Sequence, residues 1–532
     1  MGLGILSGLF SFLFVNCVTR VLALIAAGKM TTINITYVLI FAGVILLFVL
    51  TRRTLAVAIV NLSQKLFWDL RMQVLQLVLH ANYQQLTCRR PRVHTAMVND
   101  VSVLMEASLS IIQFSTSTIL ALSCFVFLAS VSLPLFFITL VIALSGISVY
   151  HFSSGRNRLQ FIGSRTLENK FQETFISILD GFKEIFIDPA KGQFIYEHQV
   201  KAIARKSYAS NKKAFTGYIN NQITGQVLFY VLISAILLVF SIIWKVRPAN
   251  TVTFIFTLLY LLGSIESIMV LLPGIVRAGV ASSHLSELKN ELEAAGFSNP
   301  VPEVRIPRDE FDRLQVINLA FRYGQDSKAF GVGPVNMEVR KGDVVFIYGG
   351  NGSGKTTFIH TLIGLCLPTA GRVRLNEMEI DEDNYAFYRT VFSVVFSDFY
   401  LFSELPQVDC PDKEKWDYYV RLFELEGKVQ LEGRRYTTTE LSTGQRKRLA
   451  LIAALLEERP VLVLDEWAAD QDPYFRKKFY TEIIPLLKKE GVTIIAVTHD
   501  DAYYYCADKL YKMDYGYLIQ EFIHDLEPFI AN

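Results

Sequence analysis

Charged residues are scarce in this chain. Lysine, arginine, aspartate and glutamate together make up 19% of its 532 residues, whereas hydrophobic residues make up 52%. That balance is too apolar for an ordinary soluble protein. The two signs of charge nearly cancel, leaving a net charge of +2. We therefore expect no nucleic-acid partner, because the chain as a whole has no strong attraction for a polyanion.

Cysteine is also sparse, and its positions follow no pattern. The six cysteines are Cys17, Cys88, Cys124, Cys366, Cys410 and Cys506. They lack the paired spacing that is typical of disulfide frameworks and of cysteine-ligated metal sites. We expect them to be reduced packing residues, and we expect no metal site built from cysteine.

Charge is absent altogether from five long stretches. A helix needs about 20 apolar residues to cross a bilayer. The stretch 107–155 is long enough for two spans, and Ser132-Leu133-Pro134 predicts the turn between them, since proline disfavours helix at the residue before it. The first stretch has no preceding basic residue and no clean cleavage site, so a membrane helix is favoured over a signal peptide. Six spans are predicted, at 2–28, 34–53, 108–131, 133–153, 222–244 and 251–276.

Basic residues predict the orientation of these spans. The loops 51–107 and 154–221 carry seven and eleven Lys or Arg residues, whereas the three loops on the other side carry three in total. The positive-inside rule therefore places the two long loops in the cytoplasm. Six spans return the chain to the cytoplasm, so the region after about residue 300 is predicted to be cytoplasmic.

These patterns divide the chain into three predicted parts. Residues 1–280 are predicted to be a helical membrane domain, with its long cytoplasmic loops formed by extensions of the spans. Residues 281–311 contain a polar, proline-bearing stretch and are predicted to be a linker. Residues 312–532 alternate apolar strands, among them 343–348, 461–465 and 492–498, with helical stretches, which predicts an α/β domain with a mostly parallel sheet.

A glycine loop joins the first of these strands to a helix. The spacing G-x-x-x-x-G-K-T is that of a phosphate-binding P-loop. Its glycines allow backbone N–H groups to turn around a polyphosphate, and the helix N-terminus favours the same anion. Lys355 is expected to reach the β- and γ-phosphates of ATP, and the Thr356 hydroxyl to bind Mg²⁺. The predicted nucleotide-binding residues are Gly349, Asn351, Gly352, Ser353, Gly354, Lys355, Thr356 and Thr357.

A second apolar strand, Val461-Leu462-Val463-Leu464, ends in two carboxylates. Asp465 is predicted to hold Mg²⁺ directly or through water. Glu466, one residue later, is predicted to orient or deprotonate the attacking water. A solvated acidic turn is the alternative for such a pair, and the P-loop about 110 residues upstream argues against it.

Leu441-Ser442-Thr443-Gly444-Gln445 resembles the L-S-G-G-Q signature motif of ATP-binding cassette (ABC) proteins, with Thr443 in place of a glycine. The resemblance implies ATP contacts from Ser442, Gly444 and Gln445, and a γ-phosphate contact from His499. It implies adenine stacking by Tyr323, which lies 26 residues before Gly349, with Phe321 as the competing residue. Ser397 occupies the place of the usual metal-binding glutamine, so its metal contact is expected to be direct or through a bridging water. Residues 470–472 match the D-loop, where two cassettes meet.

Six spans and one cassette on a single chain resemble a half-transporter of the type IV ABC exporter class. The sequences around Ser397, Trp467, Gln445 and His499 are similar to those of cyclic-peptide exporters of Gram-negative bacteria, a group that includes the syringomycin, pyoverdine and microcin J25 exporters. This resemblance implies a homodimer with two composite ATP sites, a multi-pass protein of the bacterial inner membrane with a cytoplasmic cassette, and a peptide or siderophore cargo.

Several points stay open at the level of sequence. An exporter of lipids or hydrophobic drugs is the main alternative. A soluble ABC ATPase acting on DNA or ribosomes conflicts with the six spans, and an ATP-gated sensor or channel conflicts with the full catalytic set. Glu266, within the sixth span, is costly in lipid and is expected to contact cargo, a proton or a structural hydrogen-bond partner. Segments near 86–98 and 178–188 are candidates for coupling the spans to the cassette.

Overall fold

The computed structural model describes residues 2–26, 35–293, 306–324, 330–405 and 412–522. Residue contacts divide the chain into two compact units. The first contains residues 1–79 and 88–295, and the second contains residues 80–87 and 296–532. The first unit is helical and apolar, whereas the second is built around β-sheets.

The helices of the first unit are much longer than a bilayer requires. Helices of 46 to 48 residues extend about 70 Å, against about 30 Å of hydrocarbon. The predicted helical extensions of the spans are thus confirmed for Ile35–His80 and Leu133–Asp180. The helices in chain order are α1 (Gly2–Ala26), α2 (Ile35–His80), α3 (Tyr83–Thr95), α4 (Val101–Val131), α5 (Leu133–Asp180), α6 (Phe182–Ile187), α7 (Pro189–Ile195), α8 (Lys201–Ala235), α9 (Ser241–Ile243) and α10 (Pro248–Glu293).

Apolar segments occur in all six predicted spans. Within the described ranges, Ile35–His80, Arg89–Val131, Pro189–Ile243 and Pro248–Glu293 are long and apolar enough to cross a membrane, and Gly8–Val21 and Leu133–Gly146 are shorter apolar helices. The predicted turn is present: Ser132 is extended, with φ −160°, between α4 and α5. Short π-helical segments continue several of these helices, at Ala96–Asp100, Tyr196–Val200 and Ile236–Phe240.

Helix α10 is longer than the sequence predicts. It runs to Glu293, so residues 281–293 of the predicted linker are helical. Pro300 and Pro302, on which that prediction rested, come later in the chain, and residues 281–293 contain no proline that would end the helix. Residues 294–305 lie outside the described part of the chain. Arg89 and Arg92 of the α3 region hold the end of α10 through ion pairs with Glu291, at 2.7 and 3.0 Å.

The second unit is built on strands, which in chain order are β1 (Arg313–Arg322), β2 (Gly331–Arg340), β3 (Val344–Tyr348), β4 (Ala370–Leu375), β5 (Met378–Glu379), β6 (Phe392–Val395), β7 (Leu431–Glu432), β8 (Arg435–Tyr436), β9 (Val461–Asp465), β10 (Thr493–Val497), β11 (Lys509–Asp514) and β12 (Tyr517–Glu521). They form a mostly parallel six-stranded sheet in the order β12-β11-β3-β10-β9-β6, a four-stranded antiparallel sheet in the order β2-β1-β4-β5, and the β7-β8 hairpin. The three strands predicted from sequence are β3, β9 and β10.

Short helices surround these sheets. They are α11 (Lys355–Leu362), α12 (Tyr385–Arg389), α13 (Lys413–Leu422), α14 (Thr443–Leu456), α15 (Pro473–Lys478) and α16 (Ile484–Lys489). Strands β3, β9 and β10 are buried along nearly their whole length, which matches their continuous apolar sequences. In the parallel register Val497 pairs with Ile347 on one side and with Asp465 on the other. The carboxyl ends of three strands therefore meet at one edge of the sheet, where ligands bind in such folds.

Candidate nucleotide-binding and hydrolysis site

The P-loop leaves β3 and enters α11 through glycines that no other residue can replace without strain. Gly349 has φ +155°, and a Cβ there would lie 2.2 Å from the carbonyl oxygen of Met513. Gly354 has φ +110° and precedes the first residue of α11. Positive φ and close backbone approach both favour glycine. The loop is thus fixed in a turn that ends at a helix N-terminus.

Lys355 lies folded over this loop. Its buried side chain donates from Nζ to the carbonyl oxygens of Gly349 and Gly350, at 3.0 and 3.1 Å. Asn351, Gly352 and Thr356 are exposed, Thr357 is half-buried, and Ser353 is buried with an Oγ that has no hydrogen-bond partner among the described residues. The ammonium and the loop N–H groups lie together at the start of α11, and this is the arrangement that favours a polyphosphate.

Asp465 closes β9 with a carboxylate that is almost completely buried. Its Oδ2 accepts a hydrogen bond from the Ser397 hydroxyl at 3.1 Å, whereas its Oδ1 has no partner among the described residues. Burial raises the pKa of this carboxyl, and the hydrogen bonds from Ser397 oppose that rise. A buried carboxylate oxygen without a donor is well suited to a divalent cation, so these two residues fit the predicted Mg²⁺ site. The serine in place of glutamine thus contacts the buried carboxylate itself.

Glu466 and His499 come from adjacent strand ends and face each other. The distance between His499 Nε2 and Glu466 Oε1 is 3.3 Å, and both side chains are partly exposed. The loop after β10 is fixed by Tyr480, whose hydroxyl lies 2.6 Å from Thr498 Oγ1 and donates to Asp500 at 2.9 Å. A carboxylate that is accessible to water beside an imidazole is suited to orienting an attacking water and contacting a phosphate.

The signature sequence forms the start of α14. Ser442 caps this helix: its Oγ accepts from the Gln445 N–H at 3.4 Å, and the Gln445 side chain accepts from the Ser442 N–H at 3.3 Å. Such a capping box fixes the first helical turn. Ser442 is exposed and Gly444 is half-buried, so the predicted phosphate-contacting groups lie at an accessible helix N-terminus. Gln445 acts here within the cap, and its predicted ATP contact stays a prediction.

The two candidate adenine-stacking aromatics differ sharply in burial. The Phe321 side chain is buried, with 4% exposed, whereas Tyr323 is 48% exposed. Their rings meet edge to face, with centroids 4.9 Å apart. Tyr323 is therefore the residue with a ring face available for stacking, and Phe321 supports it from the core.

Sequence reasoning missed Lys447, two residues after the signature motif. Its side chain is only 3% exposed and lies 2.7 Å from the Asp470 carboxylate. Trp467, which the sequence linked only to a family resemblance, is fully buried and donates from Nε1 to the Lys447 carbonyl oxygen at 2.9 Å. The available signal was that Trp467 and Asp470 closely follow Glu466 in the chain, but the sequence does not show that Lys447 is their common partner.

Comparisons with known proteins agree with this geometry. Residues 332–469 match the family model described as ABC transporter. The chain is 28% identical to the ATP-binding protein SyrD of Pseudomonas syringae pv. syringae, over 97% of this chain and 93% of SyrD. It is 32% identical to the energy-coupling factor transporter ATP-binding protein EcfA1 of Clostridium novyi, over 39% of this chain and 79% of that protein.

The fold of the whole chain is similar to that of a solved bacterial Atm1-family ABC exporter with ATP bound. The TM-score is 0.79 at 16% identity, with 99% of this chain and 95% of the other covered. This similarity confirms the predicted fold class, a helical membrane domain followed by an α/β P-loop cassette. The chain therefore belongs to the ABC transporter family: it is an ATP-hydrolysing membrane transporter with the exporter fold, similar over almost its whole length to SyrD.

Proposed function

We propose that this transporter exports a cyclic peptide, a siderophore or a related peptide product across the bacterial inner membrane. The observation that carries the proposal is the similarity to SyrD over 97% of the chain, together with Ser397 and Trp467, the residues that resemble those of cyclic-peptide exporters. The clustering of basic residues in the loops 51–107 and 154–221 supports a cytoplasmic cassette.

A cavity in the membrane unit supports an amphipathic cargo. It has a volume of about 520 Å³, within the range of about 300–1,000 Å³ that is typical of ligand pockets. Helices α4, α5, α8 and α10 supply its almost wholly apolar lining, which includes Phe114, Phe125, Phe136, Phe229 and Met269. Apolar and aromatic side chains of a peptide would be buried in such a lining.

A polar pair lies beside this lining. Glu266 Oε1 accepts a hydrogen bond from Gln226 Nε2 at 2.6 Å, and the neighbouring residues Gly225 and Ile265 line the cavity. The hydrogen bond provides the structural partner that was one of the expectations for Glu266. A carboxylate within an apolar candidate span is also suited to a cationic or hydrogen-bonding group of the cargo, and this second role remains part of the proposal.

A homodimer is the assembly we propose. One chain has one cassette, and in the related proteins the P-loop of one subunit faces the signature motif of the other. Ser442 and Gly444 of one protomer would then contact the ATP held by Lys355 and Thr356 of its partner. Helix α6 also presents exposed apolar side chains, Phe182, Phe186 and Ile187, which are suited to contact with another protein surface.

We propose a role in ATP hydrolysis for each residue of this site. Mg²⁺, when bound by Asp465, Thr356 and Ser397, would neutralise phosphate charge. Lys355 and the loop N–H groups would bind the phosphates, Tyr323 would stack on adenine, and Glu466 would orient the attacking water. ATP binding would close the two cassettes on each other, and hydrolysis would separate them again.

The test is comparative mass spectrometry of a deletion strain. Spent medium and cell extract are compared after complementation with wild type, Glu466→Gln or Glu382→Gln, an exposed glutamate that serves as the matched control. The proposal predicts a peptide that is absent from the spent medium of the deletion strain and accumulates in its cells. Complementation with wild type or with the control restores this peptide to the medium, whereas complementation with Glu466→Gln does not. A lipid or hydrophobic small molecule in its place would support the alternative cargo and contradict the peptide assignment.

A further inference from the structure

Lys447 is a buried lysine whose ammonium joins two elements of the hydrolysis site. It lies on α14, two residues after Gln445, with 3% of its side chain exposed. Its Nζ donates to the main-chain carbonyl oxygen of Glu466 at 3.1 Å and pairs with Asp470 Oδ2 at 2.7 Å. A buried charge is costly unless it is paired and hydrogen-bonded, and here one carboxylate and one carbonyl meet that need.

The carbonyl that Lys447 contacts belongs to a residue in an unusual backbone conformation. Glu466 has φ +49° and ψ +37°, the left-handed region that residues with a Cβ seldom adopt. Such conformations persist where the surroundings hold them, often at functional sites. The Glu466 N–H donates to the Val497 carbonyl oxygen at 3.1 Å. The peptide groups of Glu466 are therefore held by β10 on one side and by Lys447 on the other.

Trp467 makes a second link between the same two segments. Its Nε1 donates to the Lys447 carbonyl oxygen at 2.9 Å, and its ring lies 4.3 Å from that of Phe479. The indole thus anchors α14 against the residue that follows Glu466. Lys447 thus donates a hydrogen bond from α14 to the segment after β9, and Trp467 donates one from that segment back to α14. The two hydrogen bonds together fix the register between α14 and the end of β9.

The start of α14 is packed equally closely on the segment after Trp467. A Cβ on Gly444 would lie 2.9 Å from the Asp470 carbonyl oxygen, and Gln471 Nε2 donates to the Gly444 carbonyl oxygen at 3.1 Å. Arg448, next to Lys447, donates to Gln471 at 2.8 Å. Residues 466–471 and the signature helix therefore form one tightly connected element.

We propose that Lys447, with Asp470 as its counter-ion, is a positioning residue for ATP hydrolysis. It holds the main chain of Glu466 in the left-handed conformation and so directs the Glu466 carboxylate toward the attacking water. Because Lys447 lies on the helix that begins with the signature motif, a displacement of α14 is transmitted directly to Glu466. The proposal concerns the hydrolysis step alone and does not depend on which cargo is exported.

The test uses the purified full-length transporter in detergent or nanodiscs. ATP hydrolysis is measured as kcat and KM, and ATP binding is measured separately, for Lys447→Met, Asp470→Asn and the control Lys489→Met, which changes an exposed lysine on α16. Misplacement of a reacting group by about 1 Å costs on the order of 100-fold. We expect kcat of Lys447→Met to fall roughly 10- to 100-fold, with KM and ATP affinity within about threefold of wild type.

Asp470→Asn separates positioning from simple loss of packing. It keeps the shape and leaves Lys447 in place, so a smaller fall in kcat with unchanged ATP affinity is expected. Asp470→Glu retains the charge and should restore most of kcat. If Lys447→Met cannot be recovered folded, Lys447→Gln and Asp470→Asn give the same comparison. A kcat within twofold of wild type in folded Lys447→Met or Lys447→Gln, or a loss of ATP affinity that matches the loss of kcat, would overturn the proposal.

Discussion

Replacing Ser397 by alanine tests the role assigned to this residue beside Asp465. The change removes the hydroxyl that donates to Asp465 Oδ2 at 3.1 Å, while the main-chain contribution of Ser397 to the same carboxylate remains. Hydrogen bonds to charged groups contribute about 1.5–3 kcal/mol. The main-chain donor of Ser397 is kept, so we expect the free-energy loss to lie at the lower end of that range. This loss corresponds to roughly a tenfold weaker apparent affinity for Mg²⁺.

The same substitution should move the pH profile in a defined direction. Burial raises the pKa of Asp465, and Ser397 opposes this rise by stabilising the charged form. The charged form is the one suited to the cation, so activity is lost as the pH falls through this pKa. Without the hydroxyl the pKa rises further, and the acidic limb of the profile shifts to higher pH.

The assay is ATP hydrolysis by the purified transporter as a function of Mg²⁺ concentration and of pH, at saturating ATP. Ser403→Ala, at an exposed serine, is the matched control and should match wild type in both titrations. If Ser397→Ala shows an apparent Mg²⁺ affinity within twofold of wild type and an unshifted acidic limb, Ser397 has no part in the metal site and the reasoning fails.

Three further predictions concern the cassette. Glu466→Gln should lower ATP hydrolysis by at least about 100-fold while ATP binding is kept, because the substitution removes the general base but preserves the shape of the side chain. Hydrolysis and binding assays check this, with Glu382→Gln as the control. Trp467→Ala removes a fully buried ring at a cost of about 3–5 kcal/mol and should lower the thermal unfolding temperature of the purified transporter far more than Trp467→Phe does. Gly349→Ala should abolish ATP binding in equilibrium titrations, since its Cβ would lie 2.2 Å from the Met513 carbonyl oxygen.

Elements that depend on local sequence were predictable. The spacing of Gly349, Gly354 and Lys355 after an apolar run predicts strand, loop and helix, because each step uses a local property: burial, positive φ and helix capping. The turn at Ser132 was predictable for the same reason, since Pro134 disfavours helix just before it. Sequence did not predict the end of α10, because residues 281–293 carry neither a proline nor a strong helix breaker.

Features that depend on long-range packing were not predictable. A lysine two residues after a motif is usually exposed, and the burial of Lys447 becomes favourable only because Asp470 and the Glu466 carbonyl meet it across the fold. The choice between Phe321 and Tyr323 likewise needed the register of β1, which places Phe321 in the core. In the sequence, Ser397 shows only that the usual metal-binding glutamine is missing. Its contact with Asp465 could not be predicted, because it depends on β6 and β9 being neighbours in the sheet.

We propose that ATP hydrolysis at Glu466 drives a peptide out of the cytoplasm. The most direct measurement is uptake of the peptide identified by mass spectrometry into inverted membrane vesicles, in which the cassette faces the added ATP. Vesicles with wild type should accumulate the peptide when ATP and Mg²⁺ are present, and vesicles with Glu466→Gln should not. Equal accumulation by the two, or accumulation by wild type without ATP, would contradict the account.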